Sequence, residues 1–147
     1  MKALIQRVAK ASVEVQEKTI GQIDRGILVF LALEKGDGQK DLEFISRKIV
    51  NLRIFYDEQC KMNHSVKDIS GEILVVSQFT LAADCRKGNR PSFDSAEEPS
   101  RAKALYHSTV ERLKTEGLRV SHGEFAADMQ VFLINDGPVT FLLDSRS

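Results

Sequence analysis

Residues 27–33, ILVFLAL, are apolar on both faces. A half-buried strand alternates apolar and polar side chains, so a run without alternation predicts a central strand covered on both sides. A second run, EILVVSQFTLAA from Glu72, opens in the same way and is the strongest strand signal in the chain. With 147 residues there is room for one domain with a real core, but not for two comfortable ones. The rest of the chain must therefore supply the layers that cover these strands.

The earlier segments ALIQRV, SVEVQ and TIGQI carry partial alternation and β-branched residues, and Asp24-Arg25-Gly26 makes a turn into the central run. EKGDGQ reads as a loop. From Lys40 the period changes: Leu42, Ile45, Ile49 and Leu52 fall at helical spacing, with Glu43 and Arg47 as a favourable i,i+4 pair, and the helix is expected to end near Arg53. Residues 56–71 read as loop or short extended pieces. A polar loop, DCRKGNRPSFDSAEEPS, precedes a second helix expected from Pro99 to Glu116. Its apolar stripe is Ala102, Leu105, Tyr106, Val110 and Leu113, and Gly117 ends it. RVSH, DMQVFLI and VTFLL in the tail are strand-like. The fold class is α+β: a single domain, with a mostly antiparallel sheet or partial barrel covered by two amphipathic helices.

Composition excludes several functions. No apolar stretch approaches the roughly 20 residues of a membrane helix, and Gln6 and Arg7 interrupt any signal-peptide core, so cytoplasmic residence is expected. Cys60 and Cys85 form no CxxC pair and the three histidines show no ligand spacing, so neither a metal nor a cofactor is expected. Walker, GxGxxG and G-x-S-x-G signatures are absent. Twenty-one basic residues balance 21 acidic ones, so a nucleic-acid partner would have to be held by a local patch.

Three stretches carry polar groups that suit chemistry. In SQFTL, Ser77 to Leu81, continued strand alternation puts Gln78 and Thr80 on one face, either as a pair that holds a carbonyl or water or as a strand end meeting solvent. In CRKGNRPSF, Arg86, Lys87 and Arg90 are either phosphate contacts or a solvated loop. In NDGPVT, Gly137-Pro138 is either an inert hairpin turn or, with a cis bond, a device that aims two carbonyls in one direction.

Together ALIQRV, KMN at Lys61 to Asn63, SQFTLAAD, KGNRPSF, FAADMQV and NDGPVTF resemble the D-aminoacyl-tRNA deacylases, also called D-tyrosyl-tRNA deacylases, over essentially the whole chain. The resemblance implies a homodimer that takes D-aminoacyl-tRNA and hydrolyses its ester, with active sites at the subunit interface. It implies that Ser77, Gln78, Phe79 and Thr80 form the catalytic stretch. Gly137 and Pro138 would reach into the partner's pocket to select chirality. Arg7 would orient them, Met129 would pack beside them, Ala102 would lie near the aminoacyl group, and Phe125 would hold the terminal adenosine. Arg86, Lys87 and Arg90 would contact tRNA phosphates. Selection by steric exclusion leaves achiral glycine nothing to clash with, so glycyl-tRNA mischarged on tRNA-Ala is an expected further substrate. The chain departs from the family at Cys85, Leu52 and His64, and in its tail LLDSRS, all outside the two principal motifs. Two other readings stay open: a non-catalytic RNA-binding module, and a generic ester or peptide hydrolase with Thr80 or Cys85 as nucleophile.

Overall fold

The computed structural model describes all residues from Met1 to Ser147. Eight strands are present: β1 Lys2–Val15, β2 Lys18–Ile23, β3 Gly26–Ala32, β4 Phe55–Tyr56, β5 Met62–His64, β6 Glu72–Ser77, β7 Val120–His122 and β8 Gln130–Asp144. Two helices, α1 Gln39–Asn51 and α2 Pro99–Lys114, and a short 3-10 helix, Phe79–Ala82, complete the fold.

β1 organises the sheet. Its first half pairs with β3, its second half with β2, and β8 runs along its other side, all antiparallel. β6 lies parallel to β3, and β7 parallel to β6. The two parallel pairings follow from the helices: α1 lies between β3 and β6, and α2 between β6 and β7, each as a crossover. The sheet nearly closes where β2 meets β7. Ser121 Oγ donates to the Gln22 carbonyl at 3.3 Å, and a Cβ on Gly21 would sit 2.9 Å from the His122 carbonyl oxygen, so only glycine permits this approach. β4 and β5 form a separate two-stranded ribbon.

The central strands are covered as their patterns require. Ile27, Val29 and Leu31 of β3 and Ile73 and Val75 of β6 face a large core shared with α1 and α2. Leu28, Leu74 and Val76 face a smaller core inside the barrel, against which Met129, Val131 and Leu133 pack. Full burial of each such side chain contributes about 1.5–3 kcal/mol.

Both helices form where periodicity places them. Leu42, Ile45 and Ile49 are buried on α1, and Leu52 becomes its half-buried C-cap. The expected Glu43–Arg47 contact is replaced by one from Gln39 Nε2 to Glu43 Oε1 at 2.9 Å. In α2 the Glu98 carboxylate accepts from the Ser100 and Arg101 amides at 3.2 and 3.4 Å, and Pro99 occupies the first turn, where its missing N–H costs nothing. Ala102, Tyr106, Val110 and Leu113 are buried there as expected, with Thr109 beside them, while Leu105 is only half-buried.

Two expected elements differ. The strand through SQFTL stops at Ser77: the Gln78 N–H makes the last ladder bond, to the Leu31 carbonyl at 2.8 Å, and the Gln78 carbonyl then accepts from the Leu81 N–H at 3.2 Å as the chain enters the 3-10 helix. NDGPVT is not a hairpin turn: residues on both sides of it pair with β1, so it is a bulge inside one long strand. The register steps from Gln6↔Thr140 to Val8↔Asn135, leaving Asp136 to Val139 opposite Arg7 alone.

Candidate active site

Ser77, Gln78, Phe79, Ala102, Phe125 and Met129 line one cleft of about 690 Å³. β6 brings Ser77 to the rim, α2 supplies Ala102, and the approach to β8 supplies Phe125 and Met129. Thr80 joins the group through Gln78, whose Nε2 donates to Thr80 Oγ1 at 2.6 Å. The convergence expected from strand alternation therefore occurs, but a turn makes it. The first bond of that turn runs from the Leu81 N–H to the Gln78 carbonyl at 3.2 Å, so the amides of Phe79 and Thr80 precede it and have no partner within the turn.

The walls are apolar and braced. Phe79, 58% exposed, meets Phe93 edge-on with ring centroids 5.0 Å apart. Behind Phe125 lies buried Tyr106, 5.8 Å away, whose hydroxyl donates to the Val75 carbonyl at 3.0 Å. Burial pushes the Tyr106 hydroxyl pKa well up, so it stays a neutral donor. Sequence reasoning did not single out Leu31, Leu33, Lys35 and Glu97, which also line the cleft. Their loops and strand ends carry no local signal, because only the fold gathers them.

Gly137, Pro138 and Arg7 lie outside this cleft's walls. The Gly137–Pro138 bond is cis, and both residues are exposed. The bulge that presents them is held from several sides. Asn135 Oδ1 accepts from the Val139 N–H at 2.9 Å, Asn135 Nδ2 donates to Thr140 Oγ1 at 3.0 Å, and Gln6 Nε2 donates to the same hydroxyl at 3.2 Å. Arg7 Nε donates to the Asp136 carbonyl at 3.0 Å and its Nη1 to the Ile54 carbonyl at 2.7 Å. Gly137 has φ of 137°, and a Cβ there would meet Val139 Cγ2 at 2.6 Å and Arg7 Nη2 at 3.1 Å. Asn135 and Thr140, not singled out from sequence, are thus the clamps of their own motif.

Arg86, Lys87 and Arg90 are exposed on their loop. Arg86 is already engaged: Nη2 and Nε donate to the Asp84 carboxylate at 2.6 and 2.9 Å. The bonded guanidinium holds the Asp84 carboxyl well below the usual carboxylate range. Lys87 and Arg90 have no such ion pair. Cys85 is exposed beside them.

Comparison with known proteins gives a consistent result. The family model described as D-Tyr-tRNA(Tyr) deacylase matches residues 4–144. The D-aminoacyl-tRNA deacylase of Magnetococcus marinus is 63% identical over 145 residues, covering 98% of this chain and 96% of that protein. That of Aquifex aeolicus is 56% identical over 146 residues, covering 99% of each. Among solved structures, the c-Myc DNA Unwinding Element Binding Protein superposes with a TM-score of 0.92 at 47% identity over 98% of both chains. A probable eukaryotic D-amino acid tRNA deacylase superposes at 0.81 with 16% identity over 97% of each, a likeness of fold alone. Matched along nearly its whole length by the family model and sharing more than half its residues with such relatives, the chain belongs to the D-Tyr-tRNA(Tyr) deacylase family.

Proposed function

We propose that the chain hydrolyses the ester joining a D-amino acid to the terminal ribose of tRNA, and that it does so as a homodimer with shared sites. The names of its relatives support the reaction. One observation carries the shared site: the cleft residue Met129 and the Gly137-Pro138 bulge lie on one continuous stretch of chain, far apart. Met129 lines the cleft just ahead of β8, and Pro138 lies nine positions further on. At about 3.3 Å per residue, less the slack of the bulge, that is roughly 25 Å. One copy cannot bring them together, whereas two copies in antiparallel apposition can.

β8 suits that role. It is 15 residues long and pairs only with β1, leaving its other edge open, and long open edges invite a second chain. A two-fold axis that sets Pro138 against the partner's cleft crosses β8 midway, near Leu133 and Ile134. The large apolar side chains exposed there are Phe132 and Ile134, at 49% and 50%.

In this reading the cleft receives the ester. Amides of Phe79 and Thr80, with Gln78, stabilise the oxyanion, and loss of one such donor typically costs about 3–4 kcal/mol. Thr80, with its hydroxyl tied to Gln78 and no histidine among the cleft residues, positions water or substrate and is not the nucleophile. The substrate's own 2′-hydroxyl helps activate the water. Carbonyls of Gly137 and Pro138 hold the α-amino group, so an L side chain points into a wall. Glycine meets no wall, so glycyl-tRNA mischarged on tRNA-Ala is also cleaved. Lys87 and Arg90 contact phosphates, and Arg86 does so only by leaving Asp84.

Incubation with matched D- and L-tyrosyl-tRNA tests the reaction: D-selective ester loss is expected, and stereoblind or absent loss overturns it. A second reading, nucleic-acid binding without turnover, is favoured by the likeness at 47% identity to a protein named for binding DNA and by the free Lys87 and Arg90. Salt-sensitive binding with no ester loss would select it.

A further inference from the structure

We propose that Tyr56 is a positioning residue for the Gly137-Pro138 segment, acting through Arg7. The inference rests on the reading of that segment as the gauge of handedness.

Arg7 is 2% exposed, yet only Nε and Nη1 of its guanidinium donate hydrogen bonds within the chain, to the Asp136 and Ile54 carbonyls. The Asp136 carboxylate stands 3.6 Å from Nε and is itself half-exposed, so it is a weak counter-charge. The face of the guanidinium is covered instead by the Tyr56 ring, whose centroid lies 4.5 Å from Cζ. Tyr56 is 49% exposed, so its ring stands between the buried cation and water. A planar cation attracted to an aromatic face and screened from solvent is fixed in orientation as well as in place. The Asp136 carbonyl, and Gly137 beyond it, take their positions from that cation.

The support for Tyr56 comes from outside the main sheet. It sits on β4, paired with β5, and the turn between them is stapled by Asp57, which accepts from the Gln59 and Lys61 amides, each at 2.9 Å, and from Asn63 Nδ2 at 2.6 Å. Ile54, whose carbonyl takes Arg7 Nη1, directly precedes the same strand. One ribbon therefore grips Arg7 at two points, by a carbonyl at its edge and a ring on its face. Tyr56 touches neither cleft nor reacting atoms, so its effect falls on discrimination more than on turnover.

The test compares Tyr56→Phe, Tyr56→Leu and Tyr56→Ala in the full-length protein. It reads kcat/KM on D- and L-tyrosyl-tRNA, the melting temperature, and water exchange of the Arg7 Nε–H by NMR. Tyr56→Phe is expected to keep the D:L ratio. Tyr56→Leu, which keeps bulk but not the π face, and Tyr56→Ala are expected to lower it about tenfold, mainly by faster cleavage of the L ester, with faster Nε–H exchange. An unchanged ratio in Tyr56→Ala overturns the proposal, as does a loss that is equal on D and L esters and follows the fall in melting temperature. A wild-type protein blind to handedness overturns the functional reading, and this proposal with it; a selective wild type with an unaffected Tyr56→Ala overturns this proposal alone.

Discussion

The two ends of the β8 region are built on opposite plans. At Met129 the chain lines a concave, mostly apolar cleft whose walls come from β6, α2 and the 3-10 helix. At Gly137-Pro138 the same strand bulges outward, its tip exposed and its base held by Arg7, Asn135 and Val139. In the proposed dimer one end would be a receptor and the other an insert, and each is rigid for a different reason. The cleft is rigid because secondary-structure elements pack behind it. The bulge is rigid because side chains hydrogen-bond its backbone from beneath. Rigidity of a protruding backbone is of little use to a lone chain, and this contrast is what recommends a second copy.

The comparison is broken most severely at the insert. Gly137→Ala puts a Cβ 2.6 Å from Val139 Cγ2 at a positive φ, so the bulge must shift. Displacements near 1 Å cost about a hundredfold in rate, so D-ester cleavage should fall by about that factor while the melting temperature changes little. A variant with wild-type kinetics would show that the tip is inert. Next, Phe132→Asp combined with Ile134→Asp should weaken self-association about thirtyfold by analytical ultracentrifugation, with activity lost on dilution. A monomeric variant that stays fully active would show that the cleft works without the insert.

Thr80→Ala probes the receptor end more gently. Loss of a positioning hydroxyl should lower kcat by less than about tenfold, whereas complete loss would make Thr80 the nucleophile. The smallest effect is expected at the loop. Asp84→Asn frees Arg86 and should tighten tRNA binding about threefold at moderate salt, with a steeper salt dependence. Unchanged affinity and slope would remove Arg86 from the phosphate contacts.

Much of this molecule is legible in sequence where the signal is local. α1 and α2 follow from helical spacing of Leu42, Ile45, Ile49, Tyr106 and Val110, and β3 and β6 from apolar runs too dense for an exposed strand. Within the cleft, Gln78 is marked by a polar side chain at a strand end, Ala102, Phe125 and Met129 are indicated only by resemblance, and Leu31, Leu33, Lys35 and Glu97 carry no signal at all. Alternation fails past Ser77, because once the Gln78 amide has completed the ladder to Leu31 its carbonyl accepts from the Leu81 amide and the chain becomes a 3-10 helix.

The sequence by itself determined which segments bury an apolar face, because each periodicity is written within a dozen residues. Tertiary structure alone decided that NDGPVT is a bulge and not a turn, that Arg7 lies beneath it, and that Tyr56 covers Arg7. The physical reason is that β1 pairs with β8 across more than a hundred residues. A Gly-Pro pair has the same local preferences in either setting, and only that distant partner strand selects between them.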